Sequence, residues 1–244
     1  MTKDDSAKAV LWLLDARMAE KNERSFLRLL SASERQRYRR FVRRERQRQF
    51  LLGRILLRCA VSHATHRPLN EIDVIERPDR APEVVVRGPK QFGFSFSLSH
   101  SRHWIGCAVA LGCKIGVDVE FNDESRDIVE IARTIFNADD LRWLFCQPRD
   151  QIYSAFYRLW CAREAFYKRC AEMPAAVLPI MRSSVLYSES ARHAGFTIAV
   201  CTDQPINLQQ RIVTAERVLH AGETDREIPH RAWRLPILFA MKAE

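Results

Sequence analysis

No CxxC pair occurs in this 244-residue chain, and its seven cysteines stand scattered at 59, 107, 113, 146, 161, 170 and 201. An odd count without framework spacing, mostly among apolar neighbours, argues against a disulfide scaffold or zinc ribbon. It predicts reduced, buried thiols in a cytoplasmic protein. Long apolar runs are missing too. Near the N-terminus only "AVLWLL" stands out, far short of the ~20 residues that cross a bilayer. The order of basic, hydrophobic and small-residue regions that marks a signal peptide is also lacking. Neither a membrane anchor nor export is expected. A Walker A loop and a G-x-G-x-x-G after a strand are both absent, which removes the usual nucleotide-phosphate devices. "HATH" at 63–66 has two histidines at i and i+3 but neither the glutamate of HExxH nor an evident third ligand. No repeat, low-complexity segment or long linker interrupts the chain.

What is present is enough for a real core: 47% of the residues are hydrophobic, and the length suits one large domain or two small ones. The net charge is +9 and unevenly spread, with eight arginines against one glutamate between Arg35 and Arg48. Such a field favours a polyanion, a phosphorylated ligand or an acidic protein partner. Charge alone does not separate the three.

The pattern predicts a first strand over 8–17 and a polar helical stretch to about Leu30. A long helix follows through 31–64, broken near Ser33, where serine followed by Glu34 suits a start. Its apolar positions Tyr38, Phe41, Val42, Leu52, Ile55, Leu56 and Cys59 recur at three and four. "EIDVIE" and "EVVVRG" read as short strands. "FGFSFSLSHS", "WIGCAVALGC" and "KIGVDVE" read as adjacent strands joined by tight turns. Two helices come next, the second capped by Asn137, and then a long helix through "YSAFYRLWCAREAFYKRCAEM". "SVLYS" and "GFTIAVCTD" are further strands, before a mixed tail. Strand, helix and strands thus occur twice in order, with a seam near Leu111–Lys114. The expectation is an α/β (α+β) chain of two halves, 1–112 and 113–244.

Three features carry chemistry. In "KIGVDVE", Ile115, Val117 and Val119 alternate with Gly116, Asp118 and Glu120, so two carboxylates lie about 7 Å apart on one strand face. Either that face is solvated, or it serves a hard cation such as Mg²⁺; Gly116 would then let a ligand approach the backbone. In "WCAREAFYK", Trp160, Glu164 and Lys168 follow one another at i, i+4 and i+8 along one helix side. A stabilising Glu–Lys pair explains them, as does a third oxygen ligand beside a phosphate contact. In "SLSHS", His100 between two hydroxyls suits either a structural histidine or hydrogen bonds to phosphate. No G-x-S-x-G elbow surrounds either serine, which disfavours a Ser–His hydrolase.

Taken in order, "FSLSHS", "IGVDVE" and "WCAREAFYK" resemble the motifs of the 4'-phosphopantetheinyl transferases of the surfactin-synthetase-activating (Sfp) type. The basic helix ending "FLLGRILLR" is similar to that family's N-terminal helix. The resemblance covers about residues 33–170 and implies two similar small α/β halves related by a pseudo-two-fold. It implies Asp118, Glu120 and Glu164 as Mg²⁺ ligands, and Ser99, His100 and Lys168 as contacts to coenzyme A phosphates. Arg37 and Arg48 are its candidates for the 3'-phosphoadenosine end. It further implies Glu164 as base for the incoming serine, with Lys168 and His100 sharing the catalytic charge. Two departures stand out: Arg163 replaces the family's lysine before the helix glutamate, and "RAP" at 80–82 replaces a frequent "GKP", leaving Arg80 to reach the same oxygens.

The reaction implied is transfer of 4'-phosphopantetheine from coenzyme A to a serine of an acyl or peptidyl carrier, by a monomer. Carrier docking is expected through Phe136, Leu141, Trp143 and Leu144, with basic residues at the rim. The competing account is that these four simply pack their subdomain. A nucleic-acid-binding module would explain the arginine run, but it leaves Asp118, Glu120 and Glu164 opposing a polyanion. Neither nucleic acid nor membrane is therefore an expected partner.

Overall fold

The computed structural model describes residues 7–17, 23–77, 80–88, 93–170, 195–204 and 206–213, and the backbone of 187–193. It is an α/β architecture of four layers. One sheet has the order β4 (Phe94–Ser101), β5 (Trp104–Leu111), β1 (Ala7–Asp15), β9 (Ile206–Val213). Among the described strands of this sheet β1 and β9 run parallel and the other pairs antiparallel. A second sheet has the order β6 (Ile115–Phe121), β8 (Phe196–Thr202), β7 (Tyr187–His193), all antiparallel. Helix α3 (Arg44–Thr65) covers the outer face of the first sheet, and α6 (Ile152–Arg169) covers the second. A β2–β3 hairpin (Ile72–Ile75, Glu83–Val86) and the short helices α1 (Glu23–Leu29) and α2 (Ala32–Arg40) flank α3.

The run "AVLWLL" is explained by this layering. Val10, Trp12 and Leu14 pack under α3, whereas Ala9, Leu11 and Leu13 pack against Val117, Val119 and Ile198 of the second sheet. A strand buried on both faces has no polar alternation to display. β6 divides its residues differently: Ile115, Val117 and Val119 enter the core between the sheets, and Gly116, Asp118 and Glu120 face the other way. There Gly116 has a structural use. A Cβ at this position would overlap the Ala165 carbonyl oxygen and stand 2.7 Å from the Arg169 backbone nitrogen. The missing side chain admits the backbone of α6, not a ligand as the sequence reading expected.

Other expectations change at the edges of elements. Ser31, not Ser33, caps α2: its hydroxyl accepts from Glu34 N, and Glu34 returns a bond to Ser31 N at 2.7 Å, the reciprocal pattern of a capping box. The long helix is interrupted over 41–43. Phe41 and Arg43 are extended there, and Gln47 Nε2 donates to Phe41 O at 2.8 Å. Phe41 turns in beside Phe50, with ring centroids 5.4 Å apart. Val42, predicted on the apolar stripe, is 96% exposed. The mixed tail contains β9, which crosses back to extend the first sheet. Of "SVLYS", residues 184–186 lie outside the described residues, as does everything after 213.

Candidate active site

The two sheets meet along the edges of β4 and β6, and side chains make the join. Among the described residues one edge of β6 pairs with a strand, β8, so the N–H groups on its other edge need acceptors. Alternate serines of β4 supply them. Ser97 Oγ accepts from Val117 N at 3.0 Å, Ser99 Oγ from Val119 N at 3.1 Å, and Ser101 Oγ from Phe121 N at 3.0 Å. Ser95 Oγ extends the row by donating to Cys113 O at 2.7 Å. The period-two serines of "FSFSLSHS" thus join the halves. This signal was visible in the sequence, but its use needs the neighbouring strand.

Next to this seam lies a cleft of about 390 Å³ lined by Asp118, Glu120, Trp160, Glu164, Lys168, Ser99 and His100. The strand pair and the distant helix residues named from sequence do converge. Asp118 is 4% exposed. Its Oδ1 accepts from Lys168 Nζ at 2.6 Å and Ser99 Oγ at 2.8 Å, while its buried Oδ2 meets no N–H or O–H donor among the described residues. Glu120 Oε2 accepts from Ser101 Oγ at 3.1 Å. Burial, and secondly the charge of Asp118, push the Glu120 carboxyl above its ordinary pKa. The same two causes, in that order, raise that of half-buried Glu164. Crowded carboxylates that resist ionisation call for a cation. Among the described residues no three such side chains form a ready-made metal cage. For Mg²⁺ none is required, since it keeps waters and takes phosphate oxygens beside one or two carboxylates. The hard-oxygen donors, buried Asp118 Oδ2 among them, fit such an ion.

Ser99 is more committed than the resemblance implies. Its hydroxyl donates to Asp118 and accepts from Val119 N and from Lys168 Nζ, the last at 2.8 Å. One proton and two lone pairs are all a hydroxyl has, so nothing remains for a phosphate in this arrangement. His100, on the opposite face of β4, points the other way.

It borders a second, adjoining cavity of about 400 Å³, whose wall includes Arg37, Phe41, Arg46, Gln49, Phe50, Gly53, Arg54, Arg80, Ala81 and Lys168. Arg46 Nη1 lies 3.1 Å from His100 Nε2. The same Nη1 lies 3.5 Å from Nδ1, so the guanidinium rests against the ring rather than on the lone pair of one nitrogen. Partial burial, followed by the charges of Arg46 and Lys168, lowers the His100 pKa, although the side chain keeps contact with solvent. Arg54 stands over the Phe50 ring, 4.6 Å from its centroid.

An ion-pair chain anchors two of these arginines. Arg37 and Arg54 share Glu76 at 2.7 and 2.5 Å. Arg58 holds fully buried Glu34 through Nη1 at 2.8 Å and Nη2 at 2.6 Å. Arg48 is not brought to either cavity; it faces Glu23 at 4.0 Å. Arg46, two residues earlier on the helix, borders the cavity instead. Arg46, Gln49, Phe50, Gly53 and Arg54 recur at three and four, so they occupy one face of α3. That spacing was available as a signal.

The departures are placed as well. Arg163 turns toward α5 (Ala138–Phe145), pairing with Asp140 at 2.6 Å and donating to Tyr167 Oη at 3.0 Å. Arg80 and Ala81 border the larger cavity. Of the apolar docking set, Phe136 and Leu144 are buried, and Leu141 and Trp143 pack partly against them. Packing of the subdomain accounts for Phe136 and Leu144, while Leu141 and Trp143 stay half-buried.

The comparisons with known proteins agree with this geometry. The family profile described as "4'-phosphopantetheinyl transferase, N-terminal" matches residues 18–111. The profile described as "4'-phosphopantetheinyl transferase superfamily" matches residues 114–176. The chain is 30% identical over 151 residues to 4'-phosphopantetheinyl transferase Sfp of Bacillus subtilis (strain 168), covering 62% of this chain and 63% of that protein. It is 29% identical over 191 residues to 4'-phosphopantetheinyl transferase psf-1 of Bacillus pumilus, covering 70% and 78%. With 4'-phosphopantetheinyl transferase HetI of Nostoc sp. it shares 27% over 158 residues, covering 65% and 66%. Two profiles that adjoin at the seam and relatives that span it place the chain in the 4'-phosphopantetheinyl transferase superfamily.

Proposed function

We propose that the protein transfers 4'-phosphopantetheine from coenzyme A to a serine of an acyl or peptidyl carrier, in a magnesium-dependent reaction. The observation that carries this is the meeting of Asp118, Glu120 and Glu164 with Lys168 and His100 at two adjoining cavities on the seam. In the proposed division of labour, 1–112 holds the coenzyme and 113–244 supplies the carboxylates. The cytoplasm is the proposed site of action, in keeping with seven free cysteines. By resemblance alone, the enzyme is taken to act as a monomer.

The cavity beside α3 has the chemistry of a nucleotide site: arginines for phosphate charge and an aromatic flank at Phe50. Lys168 borders both cavities, so its ammonium can follow the pyrophosphate from one to the other. His100 can donate one hydrogen bond to a phosphate oxygen beside the Arg46 guanidinium. Asp118, Glu120 and Glu164 would hold Mg²⁺, whose charge neutralises the pyrophosphate oxygens. The carrier serine Oγ bonds to the β-phosphorus as that atom's bond to the bridging oxygen breaks. Adenosine 3',5'-bisphosphate leaves, and the serine proton passes to Glu164. A carboxyl with a raised pKa is the better base near neutral pH. Trp160, bordering the same cleft, helps exclude water.

The test is mass spectrometry of an apo carrier after incubation with coenzyme A, Mg²⁺ and the protein. The expected outcome is a phosphopantetheinyl adduct, with adenosine 3',5'-bisphosphate as second product. Glu164→Gln is expected to lower kcat by about 10²-fold or more with an unchanged circular dichroism spectrum. Absence of adduct on fatty-acid, polyketide and nonribosomal-peptide carriers alike would sink the proposal. A fully active E164Q would remove Glu164 from the mechanism.

A further inference from the structure

Ser99 and Ser101 make the same pair of hydrogen bonds, two residues apart. Each accepts the N–H of one β6 residue and donates to the carboxylate of the residue before it. Ser99 takes Val119 N and gives to Asp118; Ser101 takes Phe121 N and gives to Glu120. Ser97 makes only the first half. It accepts from Val117 N at 3.0 Å, and the residue preceding Val117 is Gly116, which has no carboxylate to hold.

The repeat has a geometric cause. β4 and β6 lie edge to edge, and serines at period two keep step with every second residue of β6. The hydroxyl proton left over after the backbone bond then points at the nearest side chain on the outward face of β6. Where that side chain is Asp118 or Glu120, one oxygen becomes pinned. For Asp118 this leaves Oδ2 buried, with no N–H or O–H donor to it among the described residues.

We propose that Ser99 and Ser101 are positioning residues that orient Asp118 and Glu120 into the cleft through this repeated pair of hydrogen bonds. The proposal rests on the magnesium-dependent function above. It assigns the two hydroxyls of "SHS" to the carboxylates, and leaves contact with phosphate to His100 between them. The hydroxyls act on a metal through ligand orientation, as groups behind first ligands commonly do.

Ser97 provides an internal control, since its loss removes a seam hydrogen bond without touching a carboxylate. Mn²⁺ affinity of the full-length protein, read from the electron paramagnetic resonance signal of free Mn²⁺, is measured without coenzyme A or carrier. Urea midpoints are recorded alongside. Ser101→Ala is expected to weaken Mn²⁺ binding about tenfold, within the range usual for such groups. Ser101→Thr, which keeps the hydroxyl, is expected to restore it. Ser97→Ala is expected to lower the urea midpoint as Ser101→Ala does, with wild-type Mn²⁺ affinity. Equal affinity in wild type and S101A overturns the positioning role alone, as does an equal loss of affinity in S97A. A wild-type protein that binds no Mn²⁺ overturns both this role and the metal dependence on which it rests.

Discussion

Glu120 reaches the cleft from an edge strand with one hydrogen bond, to Ser101, and with Asp118 as a like-charged neighbour. Burial and that neighbour raise its pKa above the ordinary 4.5, so the folded protein keeps this proton to a higher pH than the unfolded chain does. In linkage terms, the folded state pays nothing for Glu120 below pH 4.5. It loses stability as the pH climbs through the raised value. Glu120→Gln removes this loss. In metal-free protein, the Tm of E120Q minus that of wild type is therefore expected to grow as the pH rises from 4.5, and to level off above the raised value. Saturating Mg²⁺ at pH 7 should shrink the difference, because the cation compensates the wild-type carboxylate. Thermal denaturation in chelator across this pH range checks it; a difference independent of pH would show that the carboxyl is relaxed in the folded protein.

Among elements, β6 and α6 pack backbone against backbone at Gly116, which sets their distance. Glycine on a strand face with two carboxylates looks like a place for a ligand, and only the path of α6 across the strand shows what fills it. Gly116→Ala places a methyl group against the Ala165 carbonyl and the Arg169 backbone nitrogen. Backbone atoms have no rotamer into which to retreat. The expected cost is about 3 kcal/mol, the upper part of the usual overpacking range, or a Tm lower by roughly 6–12 °C. Since α6 carries Glu164 and Lys168, kcat should fall at temperatures where the protein is still folded. Differential scanning calorimetry and kcat at 20 °C test the two parts, and wild-type values for both would show that α6 shifts at little cost. Similar physics explains what was legible from sequence. Alternation placed Asp118 and Glu120 on one face, and the i, i+4, i+8 spacing aligned Trp160, Glu164 and Lys168, because strand and helix periods are local. The break at Phe41–Arg43 and the return of β9 to β1 depend on tertiary partners. The first follows from Phe41 meeting Phe50; the second follows from β1 needing a neighbour on its far edge.

At the scale of the whole molecule, the net charge of +9 is not spent uniformly. Arg54 and Arg58 are paired inside the fold, partly exposed Arg37 pairs with Glu76, and Arg46 faces His100. Arg39, Arg40, Arg43 and Arg44, around the break between α2 and α3, are exposed and carry no ion pair among the described residues. Val42 stands out of the same corner, and Phe41 beside it lines the larger cavity. A corner with uncompensated positive charge next to the cavity proposed for the coenzyme suits the approach of the proposed carrier, if that carrier is acidic. Long-range attraction of this kind raises association rates and fades with salt, since screening acts within about 10 Å at 0.1 M ionic strength. Replacing all four arginines by serine is expected to raise KM for an acidic carrier several-fold at low salt. It should also flatten the dependence of that KM on ionic strength, with kcat and KM for coenzyme A near wild type. Steady-state kinetics at 20 and 200 mM NaCl separate the alternatives. If KM for coenzyme A rises and that for the carrier does not, these arginines bind coenzyme phosphates. Carrier approach would then depend on charge elsewhere along the seam.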